Sequence, residues 1–121
     1  MKKKILVADV ELDTLNLIKI ILEKDGYEVS TAPTSVEGTL KAKSELPDVI
    51  LWDAAFGWEV CKILKSQEET KHIPIVMSTI PPITLDENSK KYVDGHLQKP
   101  FKANELLTEV KKHLKHRKEA T

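Results

Sequence analysis

The sequence predicts a doubly wound α/β fold, with five parallel strands in the order 2-1-3-4-5 and helices on both faces. Three observations carry this. Short apolar runs alternate with segments of helical periodicity along the 121 residues, and such alternation builds a parallel sheet with crossover helices. The runs Ile5-Leu6-Val7-Ala8 and Val49-Ile50-Leu51-Trp52 are apolar at every position, as strands covered on both faces are. Four runs end in polar groups, Asp9, Asp53, Ser78-Thr79 and Lys99, which are costly inside a sheet and belong at strand ends, where a loop opens to water. Crossovers between parallel strands are right-handed, and of the two common doubly wound orders 2-1-3-4-5 needs only five strands. Strand one then lies beside strand three. Asp9 and Asp53 fall at adjacent carboxyl ends, at the switch point where such sheets bind ligands.

The elements follow in order. After Asp9, residues Leu15, Ile18, Ile21 and Leu22 recur at helical spacing within Leu12 to Lys24, and Gly26 supplies the stop. Tyr27 to Ala32 reads as the second strand, with Val29 as its main apolar residue. Thr34-Ser35-Val36-Glu37 has capping-box spacing and opens a helix to about Glu45. Pro47-Asp48 punctuates before the Asp53 strand. Trp58, Cys61 and Leu64, flanked by Val60 and Ile63, give a third helix its apolar face. His72-Ile73-Pro74 leads into the strand Ile75-Val76-Met77. Pro81-Pro82 forbids an immediate helix, which leaves a late and short fourth helix within Asp86 to Val93. Gly95-His96-Leu97-Gln98 is the last strand. Leu106, Leu107, Val110 and Leu114 form a stripe on a C-terminal helix.

Composition narrows the function classes. One domain is expected over residues 1–121, with a core from about 4 to 115 and a basic helix end and tail. Lys plus Arg equals Asp plus Glu at 19 each, so no global charge draws the chain to nucleic acid or to an anionic membrane. No apolar stretch is long enough to span a bilayer. The basic start Met1-Lys2-Lys3-Lys4 is followed by an apolar run that Asp9 and Glu11 interrupt, which argues against a signal peptide. The single cysteine, Cys61, has no internal partner and fits a reducing, cytoplasmic setting. It reads as core packing. His113 and His116 share a helix face, but two ligands are too few for a metal site.

The stretches Lys4-Ile5-Leu6-Val7-Ala8-Asp9, Pro47-Asp48-Val49-Ile50-Leu51-Trp52-Asp53, Ile73-Pro74-Ile75-Val76-Met77-Ser78-Thr79 and Lys99-Pro100-Phe101 are individually short. In their order and spacing the chain resembles the receiver domain of response regulators, the CheY-like family with its flavodoxin-like fold. The resemblance runs from Lys4 to about Lys115. It implies that Asp53 stands at the position that accepts a phosphoryl group from a histidine kinase. Thr79 and Lys99 stand at the phosphate-binding positions and His96 at the switch aromatic. Asp9 stands at the first of two acids that, with Asp53, help hold a magnesium ion. The chemistry needs these types. Phosphorylating a carboxylate adds charge to an anionic nucleophile, and a divalent cation and a lysine offset it in the transition state.

The sequence departs from that pattern in three places. Val10 replaces the second acid, leaving Glu11, one residue on, as a further oxygen. The loop Ala54-Ala55-Phe56-Gly57 is about four residues shorter than usual and lacks the Met-Pro step. Ile80-Pro81-Pro82 and a weak fourth helix replace a small residue and a full helix. The expected function is therefore a response-regulator module in two-component signalling, not an enzyme, with a protein partner such as a histidine kinase or an output domain. Two mechanisms compete: magnesium-dependent phosphorylation of Asp53, and docking that needs no phosphorylation. Val10 and the short loop favour docking, a pseudo-receiver. A small flavodoxin-like enzyme or nucleotide binder is the reading from another class, and Asp9-Val10-Glu11-Leu12 stands where its Gly-rich loop would be. Plain structural roles compete too. Asp53 can cap its strand end, Lys99 can bridge Asp53 or Asp9, and His96 can be a half-buried histidine of the last strand.

Overall fold

A computed structural model describes residues 2–80 and 87–120, with side chains to Leu114. Pro81-Pro82 and the side chain of His116 lie outside the described residues. The strands are β1 (Lys4–Ala8), β2 (Glu28–Ala32), β3 (Val49–Asp53), β4 (Ile75–Thr79) and β5 (Gly95–Gln98). The helices are α1 (Leu12–Lys24), α2 (Ser35–Glu45), α3 (Glu59–Lys65), α4 (Glu87–Lys91) and α5 (Ala103–Ala120), with a single 3-10 turn at Ala54–Phe56. All strand pairs are parallel, and the order is β2-β1-β3-β4-β5. This is the predicted doubly wound sheet, including the short fourth helix.

Alternation of side chains along each strand splits the core into two layers. Ile5 and Val7 of β1 point to one face with Leu15, Ile18 and Leu22 of α1 and Leu106 and Val110 of α5. Leu6 and Ala8 point to the other, with Ala42 of α2 and Cys61 and Leu64 of α3. Trp52, fully buried, fills the second layer. Gly38 of α2 lies against it, so close that an added Cβ would come 2.8 Å from the Trp52 ring.

Local signals explain the element ends. Thr34 caps α2, its Oγ1 accepting from the Glu37 N–H at 3.1 Å. Gly26 ends α1 at a φ of +94°, and the Gly26 and Tyr27 N–H groups return to the carbonyls of Glu23 and Leu22, a Schellman closure. Two sequence expectations shift. The second strand starts at Glu28 rather than Tyr27. Trp58 precedes α3 rather than lying on it, and Ile63 is exposed. In a helix of 7 residues, the apolar stripe is too short for periodicity to separate buried from exposed positions.

Candidate functional site

Register fixes the site. Ala8 pairs with Trp52, so the residues that follow, Asp9 and Asp53, stand side by side at the carboxyl ends of neighbouring strands. Asp53 in turn pairs with Ser78, and Thr79 with Gln98, which brings Thr79 and Lys99 to the same edge. Asp9, Asp53, Thr79 and Lys99 are all buried.

Lys99 holds the two acids. Its Nζ lies 2.6 Å from Asp9 Oδ2 and 3.7 Å from Asp53 Oδ2. Backbone donors take up the rest. Asp9 Oδ1 accepts from the Glu11 N–H at 2.9 Å. Asp53 Oδ2 accepts from the Val10 N–H at 3.2 Å, and Asp53 Oδ1 accepts from the Ala55 N–H at 3.0 Å. Asp53 thus also caps the 3-10 turn. Burial pushes the Asp9 carboxyl above its ordinary 3.8. Hydrogen bonds from Lys99 and from the Glu11 amide oppose that rise, and the nearby Asp53 charge adds to it.

The remaining candidates lie at the margin. Thr79 Oγ1 is 2.5 Å from His96 Nε2, which pairs β4 with β5; His96 itself is exposed rather than half-buried. Glu11 gives the pocket its backbone N–H only. Its carboxylate is exposed and accepts from Thr14 Oγ1 at 3.4 Å. Val10 is 56% exposed and brings an isopropyl group where an acid would bring oxygen. The two backbone donors to Asp53 carry no sequence signal, because every residue but proline has an N–H.

The residues that would hold a magnesium ion here are Asp9 and Asp53. Magnesium takes near-octahedral oxygen ligation completed by waters; the four oxygens of the two carboxylates accept from Lys99 and three backbone amides, and an ion bound between them would compete with those donors. Among the described residues no buried side-chain oxygen or nitrogen lacks a partner, and no group of three His, Cys, Asp or Glu is placed to hold a metal.

The family model for the response regulator receiver domain matches residues 5–111. The chain belongs to that family. It is 37% identical over 117 residues to the alkaline phosphatase synthesis transcriptional regulatory protein PhoP of Bacillus subtilis, covering 92% of this chain and 48% of PhoP. The chain therefore spans about half the length of that curated relative. Among solved structures, the chemotaxis response regulator CheY4 of Vibrio cholerae matches with a TM-score of 0.86 and 29% identity, over 94% of this chain and 100% of CheY4. A CheY-like receiver domain protein of Methanospirillum hungatei matches with a TM-score of 0.88 and 25% identity, over all of both chains. Receiver domains typically bind magnesium at their phosphorylation site.

Proposed function

We propose that this receiver works in two-component signalling by docking a protein partner, without needing phosphate or metal in its acidic pocket. In this reading Asp53 keeps the phospho-acceptor position. Thr79, Lys99 and His96 keep the phosphate-binding and switch positions. Asp9 and Asp53, with Glu11 as a distant third, are what remains of the metal site. The observation that carries the reading is the state of Asp53: both its oxygens accept backbone N–H groups, from Val10 and Ala55, while Lys99 pairs with Asp9 beside it. A phosphoryl transfer to this carboxylate would have to break those contacts, with only one lysine to offset the charge that develops.

The partner is a protein, a histidine kinase or an output protein or domain. Its docking surface is the face of β4, β5 and α5, which begins beside Lys102. An open apolar groove of about 330 Å³ borders that face, lined by Leu17, Ile18 and Ile21 of α1 with Ile80, Pro100 and Phe101, and apolar lining suits a protein surface. We propose no enzymatic activity and no nucleic-acid contact for this domain, in keeping with a formal net charge of zero, and a cytoplasmic location. Among the described residues no helix is long and apolar enough to cross a membrane.

One observation favours the competing mechanism, magnesium-dependent phosphorylation: Asp9, Asp53, Thr79 and Lys99 all remain on one rim. Incubation with acetyl phosphate and magnesium, followed by intact-mass analysis, separates the two. The expected result is an unmodified chain. A phosphoryl adduct that disappears in Asp53→Asn establishes a working receiver instead. Docking itself is tested by binding of a captured partner: Asp53→Asn should leave its affinity nearly unchanged, whereas Lys102→Glu should weaken it.

A further inference from the structure

Four aromatic side chains run from the acidic pocket to the fourth helix. Trp52 immediately precedes Asp53 and meets Phe56 edge-on, with ring centroids 5.5 Å apart at 68°. Its Nε1–H donates to the Gly57 carbonyl at 2.9 Å, across a glycine whose φ is +84°. The next residue, Trp58, stacks on Tyr92, with centroids 5.7 Å apart and planes 8° from parallel. Lys62 Nζ lies over the Tyr92 ring, 6.0 Å from its centroid. Trp58, Tyr92 and Val93 all pack against the core layer that contains Trp52.

The fourth helix is short and held near its C-terminal end. It is 5 residues long, Glu87–Lys91, and only Ser89 of it is buried. A helix that short does not stand on its own propensity. Tyr92 and Val93, just after it, pack against the core layer of Trp52, and Asp94 follows with bonds to Lys65 and the Ile75 N–H. The loop behind Asp53 packs Ala54, Phe56 and Trp58 on the same core layer. It is tied to the Asp53 carboxylate through the Ala55 N–H, to Trp52 through the Gly57 carbonyl, and to Tyr92 through Trp58. Loop and helix, far apart in sequence, therefore meet at one pair of stacked rings.

We infer that the Trp58–Tyr92 stack is a latch that joins the loop behind Asp53 and the fourth helix into one cooperative unit. When the rings part, both segments loosen together; while they stack, both hold a single position. The latch goes beyond the docking reading and does not depend on it, since it is built from ring contacts and stands whether or not Asp53 accepts phosphate. It gives the shortened loop a purpose in the structure: with so few residues between Asp53 and Trp58, the position of one constrains the other.

Amide hydrogen exchange on this chain tests the latch, because local opening exposes together the segments that share a cooperative unit. The variants are Trp58→Leu, Tyr92→Leu, the double variant, and Tyr92→Phe, which keeps the ring. Each leucine variant should raise exchange roughly tenfold in both residues 54–58 and residues 87–93, the size of change expected when an aromatic pair is lost. The double variant should add little to either single one. Tyr92→Phe should stay near the parent, and exchange in β1 and β3 should stay slow throughout. If Tyr92→Leu loosens only residues 87–93 while 54–58 keep their protection, or if the two leucine effects simply add, there is no latch. Should Trp58→Leu fail to fold, the exchange of residues 54–58 in Tyr92→Leu against Tyr92→Phe decides the question alone.

Discussion

Asp9 and Asp53 bring two buried carboxylates against one lysine, and that surplus of negative charge has a consequence for stability. Burial raises the Asp9 carboxyl above its ordinary 3.8, more than the Lys99 contact at 2.6 Å lowers it. A carboxyl raised in the folded state favours folding when protonated. Its contribution is fully present below the unfolded pKa and is lost as pH rises through the folded one. Asp9→Asn removes that loss and leaves Lys99 to pair with Asp53. The variant should therefore be more stable than the parent at neutral pH, with the difference shrinking in mild acid as the parent's Asp9 becomes protonated. Urea unfolding at the two pH values checks this, and a neutral-pH loss of stability would mean that the Lys99–Asp9 pair outweighs the cost of burying the charge. Cys61 gives a plainer expectation. Burial pushes its thiol up to about 12, so it should react with thiol reagents only as fast as the chain unfolds, which labelling with and without urea will show.

At the scale of elements, the helices carry the polar sites at their ends and the packing along their faces. The second helix illustrates both. Thr34 supplies its cap, and Gly38 is buried where its missing side chain admits the Trp52 ring. Alanine is a better helix former than glycine by about 1 kcal/mol, yet here its Cβ would sit 2.8 Å from a ring atom, and overpacking a filled core costs about 1–3 kcal/mol. The clash should win, because Trp52 is fully buried and pinned by its bond to Gly57. Gly38→Ala is expected to lose roughly 1 kcal/mol net, read as a lower urea midpoint with an unchanged slope. This strain was not visible in the sequence, where Gly38 is one small residue in a helical stretch. The cap, the stop at Gly26 and the short fourth helix were visible, because each rests on a local rule about backbone donors or proline.

For the whole molecule, strand order and rim were legible because charged residues stop apolar runs at the sheet's carboxyl edge, as Asp9, Asp53 and Lys99 do. Long-range pairings were not legible. The Thr79–His96 bond, the stack of Trp58 on Tyr92 and the Val10 amide bonded to Asp53 all join segments that no spacing rule connects. The oxygens of the acid pair already accept from Lys99 and backbone amides, so under the proposed reading magnesium has little to gain there. Magnesium titration followed by tryptophan fluorescence tests it most directly, since Trp52 adjoins Asp53. The expected result is no saturating change at submillimolar magnesium in the parent chain, and tighter binding in Val10→Asp, which restores an oxygen ligand and a negative charge. Saturation of the parent chain at submillimolar magnesium would contradict the account.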